Sequence, residues 1–281
     1  MSAHNVSRLG HLRRRLAWAT AAMLLGTLPG CLASTQTEVE MGASYAAEIN
    51  KQLPIIGDPE VNRYINLLGD SIAGVADNRN LQWHFYVVDQ TDINAFAVPG
   101  GYVYVNRGLI ERAQNMSQLA GVMGHEIGHV VKRHSVKQMQ KQDQAGVGVA
   151  AICIFAPSFC NSQTGSAAVQ VTAQGLFAKF SRDDEAQADQ VGVQYTTRAN
   201  IDPRGIPAMF QILLDERKSD PGAVDVFFAS HPMEESRIAD TQAEIAKISP
   251  VVLKGTTVDS PAFQSFKRHL ATLPHAKQVS K

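Results

Sequence analysis

His125, Glu126 and His129 stand in the stretch LAGVMGHEIGHVVKRH, residues 119–134. Their types and spacing can do chemistry. Positions four apart lie one above the other on a helix face, so both imidazoles can aim at one cation. Glu126 is rotated about 100° from His125 by the helical repeat, which lets it flank the cation instead of binding it. This is the geometry of hydrolytic zinc, with two histidine ligands and a glutamate acting as general base on zinc-bound water. The bland alternative is a core helix that carries two histidines.

A working zinc site needs a third protein ligand and an open position. In the longer pattern HExxHxxGxxH the next ligand follows closely, but here Lys132 and Ser135 occupy the glycine and histidine positions. The ligand must then come from elsewhere. A glutamate with an aspartate four residues later on one helix face can bind metal with the first and hold a ligand histidine by its second nitrogen with the other. Glu185 and Asp189 fit this in FSRDDEAQADQVGVQY, and Glu216 and Asp220 fit it in LLDERKSDPG. The second pair runs straight into a turn. The first lies inside a helical run, so Glu185 is the expected third ligand. The competing reading makes it one exposed carboxylate among Asp183, Asp184 and Glu185.

The elements that must position these residues are legible in outline. Val61, Ile65, Leu68 and Ile72 have helical spacing, with Asp58 as a cap and Pro59 in the first turn. LQWHFYVVD (81–89) reads as a strand. In NAFAVPGGYVYVNRGLI (94–110), Pro99-Gly100-Gly101 marks a turn between two extended runs, and Tyr102 and Tyr104 alternate with Val103 and Val105. A single long helix is expected from near Ser117 to about Gln142. Residues 145–156 are apolar but too few to span a bilayer, and read as a buried or cleft-lining helix. Further helices are expected from about Ala167 through Arg198, over GIPAMFQILLDERK up to Asp220-Pro221-Gly222, and over MEESRIADTQAEIAKI, whose acidic start suits a helix N-terminus. Residues 251–281 are weakly patterned and read as a tail. The expected fold is α+β and mainly helical, with a small sheet before the histidine helix.

Lys+Arg and Asp+Glu both number 26. Residues 1–30 hold four arginines and no acid, so the remainder is mildly acidic, which gives no support for nucleic-acid binding. The basic start, the apolar run at residues 16–28 and the sequence LPGC resemble a secretory signal ending at a bacterial lipobox. The expected organisation is a signal peptide over 1–30, a lipidated Cys31 opening a tether over 31–44, a zinc-site domain over 45–250 and the tail. Leu32 instead of aspartate would direct a Gram-negative lipoprotein to the outer membrane, facing the periplasm. The alternative is an ordinary signal and a soluble periplasmic protein. In that oxidising compartment Cys153 and Cys160 are a possible disulfide.

HEIGHVVKRH, SRDDEAQAD, NAFAVPGG and SHPMEESRI occur in this order. Together they resemble the HtpX-like and CAAX-prenyl-protease-like zinc metallopeptidases, the forty-eighth metallopeptidase family, of gluzincin type. Within it the chain is most similar to the exported bacterial lipoprotein branch. The resemblance covers roughly residues 36–248. It implies an endopeptidase with one zinc held by His125, His129 and Glu185, with Glu126 activating the water and Asp189 holding a ligand histidine. It places Asn94, Ala95 and Phe96 along the substrate cleft, where a peptide could add as an extra strand. His231, in SHP, would either donate to the oxyanion or bind zinc as a fourth ligand. Arg237 would support the site or form a surface ion pair. His134, five residues after His129, falls about 140° round a continuous helix and reads as structural, as does His84. The implied substrates are misfolded cell-envelope proteins. A chaperone or assembly factor that keeps the fold without cleaving is the alternative.

Overall fold

The first helix, α1 (Thr35–Gln52), begins inside the stretch expected to be a tether. It is folded into the structure by Met41, Ala46 and a fully buried glutamate, Glu38. The computed structural model describes residues 34–142, 179–232 and 235–276, and the elements below belong to one unit, Thr35–Lys281. Cys31, Cys153, Cys160 and the expected helix at 145–156 lie outside the described residues. No described helix is long and apolar enough to cross a membrane.

The expected cap of α2 (Pro59–Ala76) is present. The Asp58 carboxylate accepts from the backbone N–H groups of Glu60 at 2.9 Å and Val61 at 3.0 Å. Val61, Ile65, Leu68 and Ile72 form the buried face of α2. The sheet follows, with β1 (His84–Val88), β2 (Ala95–Val98) and β3 (Tyr102–Asn106). The Pro99-Gly100-Gly101 turn joins β2 and β3, and both glycines adopt positive φ (84° and 100°), a region closed to most side chains. The strand order is β1-β3-β2, with β3 parallel to β1 and antiparallel to β2. The alternation of residues 102–105 gives β3 two faces. Val103 and Val105 join Phe85 and Val87 in the main core, while Tyr104 stacks between Tyr86 and Phe96 on the other side.

After a short helix, α3 (Arg107–Arg112), the histidine helix α4 (Met116–Val131) is capped by Asn115, which accepts from the N–H of Gln118. It is buried from Ser117 to Val130. The helix expected to continue to Gln142 does not. Arg133 takes a left-handed φ of 60°, and a second helix, α5 (His134–Gln142), starts beyond it. The bend is held from α1. Glu38 pairs with Arg133 Nε at 2.8 Å and Arg79 Nη1 at 2.9 Å, and Arg79 Nη2 donates to Val130 O at 3.0 Å. Removing a buried carboxylate that neutralises two half-buried guanidiniums is costly. Glu38→Ala is expected to lower stability by about 2–3 kcal/mol, below the ~3–5 kcal/mol of a fully buried pair because both guanidiniums reach solvent. Thermal unfolding measures this, and an unchanged midpoint would contradict the clamp.

The remaining helices are α6 (Arg182–Arg198), α7 (Gly205–Ser219), α8 (Pro221–Ser230), α9 (Glu235–Ile245), α10 (Pro250–Gly255) and α11 (Pro261–Thr272). Among the described residues α6 starts at Arg182, behind a capping box in which Ser181 and Asp184 satisfy each other. Pro221, read as a stop, also opens α8, since proline is favoured in a helix's first turn. Residues 251–272 are not a loose tail. Phe263, Phe266 and Leu270 are buried in the main core. Thr257 bridges to Ile201, just past the end of α6, and Ser117 at the start of α4 donates to Val258 O.

Candidate metal centre

Four elements bring the site together. α4 carries His125, Glu126 and His129, α6 carries Glu185 and Asp189, His231 caps the end of α8, and α9 carries Arg237. α4 makes its most extensive packing against α6. Glycines allow the close approach. A Cβ on Gly128 would lie 2.8 Å from Val191 Cγ2 and 3.2 Å from Ala188 O. Gly128→Val is therefore expected to wedge α4 from α6 and cost about 1–3 kcal/mol by overpacking. Thermal unfolding checks this, and an unshifted midpoint would show that the close packing is dispensable.

His125, His129, Glu185 and His231 each offer one ligand atom, and these atoms lie within 4.8 Å of one another. All four side chains are buried. His129 Nε2 is 2.9 Å from His125 Nε2 and 3.3 Å from Glu185 Oε1. His231 Nδ1 is 3.1 Å from Glu185 Oε1 and 3.4 Å from His125 Nε2. Glu126 stands beside the group, its Oε1 3.5 Å from His231 Nε2 and buried without a hydrogen-bond partner. Among the described residues no other group of three or more His, Cys, Asp or Glu converges in this way.

The surroundings orient these groups. Asp189 Oδ1 lies 2.8 Å from His125 Nδ1. A carboxylate only accepts, so a neutral His125 carries its proton on Nδ1 and presents the Nε2 lone pair to the group. Arg237 is buried, and its guanidinium donates to both oxygens of Asp189 at 2.8 and 2.7 Å and to Pro232 O at 2.9 Å, with Glu185 Oε2 2.6 Å away. Burial pushes the Glu126 carboxyl above its ordinary value and holds His129 well below its own. For Glu185 burial works against the charged form, but the imidazoles of His231 and His129 outweigh it and keep its carboxyl well below the usual range. For His231 burial is likewise outweighed, here by the carboxylates of Glu126 and Glu185, and its value is raised. Three imidazoles and a carboxylate in a buried site form a nitrogen–oxygen donor set suited to a divalent metal such as zinc. The lone pair on His125 and the unpartnered oxygen of Glu126 fit a cation in their midst.

The structure thus brings His125, Glu126, His129, Glu185, Asp189 and His231 together, and with them Arg237, which is no surface ion pair. Glu216 lies elsewhere and pairs with Arg112. Asn94, Ala95 and Phe96 run into β2, one of the sheet's two edge strands, which packs on α4. Ala95 is fully buried, and Phe96 stacks on Tyr104 with ring centroids 4.8 Å apart. His84 stacks on Tyr102 in the sheet. Two neighbours were not foreseen. Phe180 lays its ring 4.0 Å from that of His129, and its backbone N–H donates to Ser230 O just before His231. His134, expected to point elsewhere, sits 3.0 Å from His129 Nδ1 through its own Nδ1. The bend at Arg133 accounts for that difference.

Comparison with known proteins gives this geometry a family. The model of peptidase family M48 matches residues 59–245. The beta-barrel assembly-enhancing protease of Escherichia coli K12 is 32% identical over 237 residues, covering 83% of this chain and 48% of that protein. Metalloprotease YcaL of the same organism is 31% identical over 180 residues, 64% of this chain and 66% of its own length. The mitochondrial metalloendopeptidase OMA1 of Schizosaccharomyces pombe is 26% identical over 209 residues, 73% of this chain and 59% of the relative. The chain spans about half the length of the beta-barrel assembly-enhancing proteases it matches. The matched span takes in the histidine helix, the Glu185 helix, His231 and Arg237 alike, and the chain belongs to peptidase family M48.

Proposed function

We propose that this protein is a zinc endopeptidase that hydrolyses peptide bonds of cell-envelope proteins, misfolded ones foremost. The observation that carries the reading is the convergence of His125, His129 and Glu185 from two helices, with Glu126 beside them. Zinc bound there would acidify a water and polarise the scissile carbonyl. Glu126 would take that water's proton and pass it to the leaving amine. Asp189 and Arg237 keep His125 and Glu185 aimed inward. His231 has two roles open to it. With Nδ1 among the donor atoms it would serve as a fourth ligand, or from Nε2, which faces Glu126, it would donate to the developing oxyanion. The edge strand β2 would offer backbone groups to an extended peptide, with Asn94 just before it and Ala95 and Phe96 within it.

The envelope assignment rests on the signal-like N-terminus with Cys31 and on the E. coli relative's name, which links that protein to beta-barrel assembly. We place the protein at the outer membrane, facing the periplasm, through a lipid on Cys31. A chaperone role without cleavage is the weaker reading, because the base and the donor set are both in place. The test is casein cleavage by the purified protein. Cleavage should be abolished by a zinc chelator and restored by added zinc. Cleavage that survives complete chelation, or none at all with zinc bound, would overturn the proposal.

A further inference from the structure

We propose that His134, backed by Asp184, is a positioning residue that fixes the proton and ring orientation of His129. The inference rests on the zinc site proposed above. His134 is 1% exposed, and its ring meets that of His129 edge-on at 4.9 Å between centroids. The two Nδ1 atoms are 3.0 Å apart, so one of them donates and the other accepts. Asp184 favours one arrangement. Its Oδ1 faces His134 Nε2 at 3.6 Å, longer than a hydrogen bond but within charge–dipole reach, while its Oδ2 accepts from Ser181 at the start of α6. A carboxylate favours a proton on the nitrogen it faces, so His134 carries its proton on Nε2 and accepts through Nδ1. His129 must then donate from Nδ1, which leaves its Nε2 bare toward His125 and Glu185.

The two histidines of α4 are thereby held in the same tautomer by different routes. Asp189 acts on His125 directly, and Asp184 acts on His129 through an intervening imidazole. The second route exists because α4 ends at Val131 and the left-handed Arg133 swings His134 back toward His129. The clamp of Glu38 on Arg133 and Arg79 holds that bend from α1.

The test measures zinc affinity by competition with a chromophoric chelator, with the melting point of each metal-free variant as a control for folding. His134→Phe keeps a ring but accepts nothing, and should bind zinc about 10–100-fold more weakly than wild type. His134→Asn can place an amide oxygen where Nδ1 stood, and should recover most of that loss at a similar melting point. Wild-type affinity in His134→Phe, or no recovery in His134→Asn, would overturn the role. Should the phenylalanine variant fail to fold, nitrogen chemical shifts of the histidines in zinc-loaded wild type still decide. His134 protonated on Nε2 supports the proposal, and His134 protonated on Nδ1 overturns it. A wild type that binds no zinc overturns the metal site itself, and this inference with it, which separates that failure from an unchanged His134→Phe.

Discussion

Glu126→Gln is expected to keep its zinc and lose casein cleavage by about 10²–10⁴-fold, the range a general base contributes. The substitution preserves size in a fully enclosed position, so packing around α4 is conserved. Glu126 is not one of the four convergent donors, and its removal leaves them in place. What disappears is the only property an amide cannot supply, acceptance of a proton. Zinc content and turnover on the same preparation separate the two effects. Loss of zinc in this variant would make Glu126 a ligand. Wild-type turnover would remove it from the mechanism.

The second large effect is expected at Glu185. Structural zinc held by four protein groups is worth about 10–16 kcal/mol, or roughly 3–4 kcal/mol per ligand. Glu185→Ala should therefore weaken zinc binding by about 10²–10³-fold, at 1.4 kcal/mol per factor of ten. The fold should survive. Arg237 would lose Glu185 but keep its fork to Asp189 and its bond to Pro232 O. Chelator competition gives the affinity, and thermal unfolding of the metal-free variant checks the fold. Unchanged affinity would show that the carboxylate is a neighbour of the site and no ligand. Lost affinity with a collapsed melting point would show that Glu185 serves the fold first.

Much of this was readable in the chain because it is local. The histidine spacing on α4, the Asp58 cap and the alternation in β3 each follow from a few consecutive residues. Glu185 and Asp189 were readable as a same-face pair, once Lys132 and Ser135 had excluded a nearer ligand. The break after α4 was not. Arg133 gives no sign of a left-handed turn, a conformation that glycine and asparagine ordinarily supply, and the clamp that holds it comes from Glu38, 95 residues earlier. His134 was misplaced for that reason alone. Arg237 stayed undecided because its fork to Asp189 spans 48 residues. The C-terminal helices were missed for a different reason. Ser249-Pro250 and Ser260-Pro261 are cap-and-proline starts that were present in the sequence. The helices behind them are short: α10 buries no residue, and α11 reaches the core only through Phe263, Phe266 and Leu270.

The central claim is that helices α4 and α6 join to hold one catalytic metal. Its most direct measurement is the zinc content of the purified wild-type protein beside His129→Ala. The account predicts about one zinc per chain in wild type, as for a single tetrahedral site, and a loss of most of it when His129 is removed. A wild type without zinc, or zinc retained in full by His129→Ala, would contradict it.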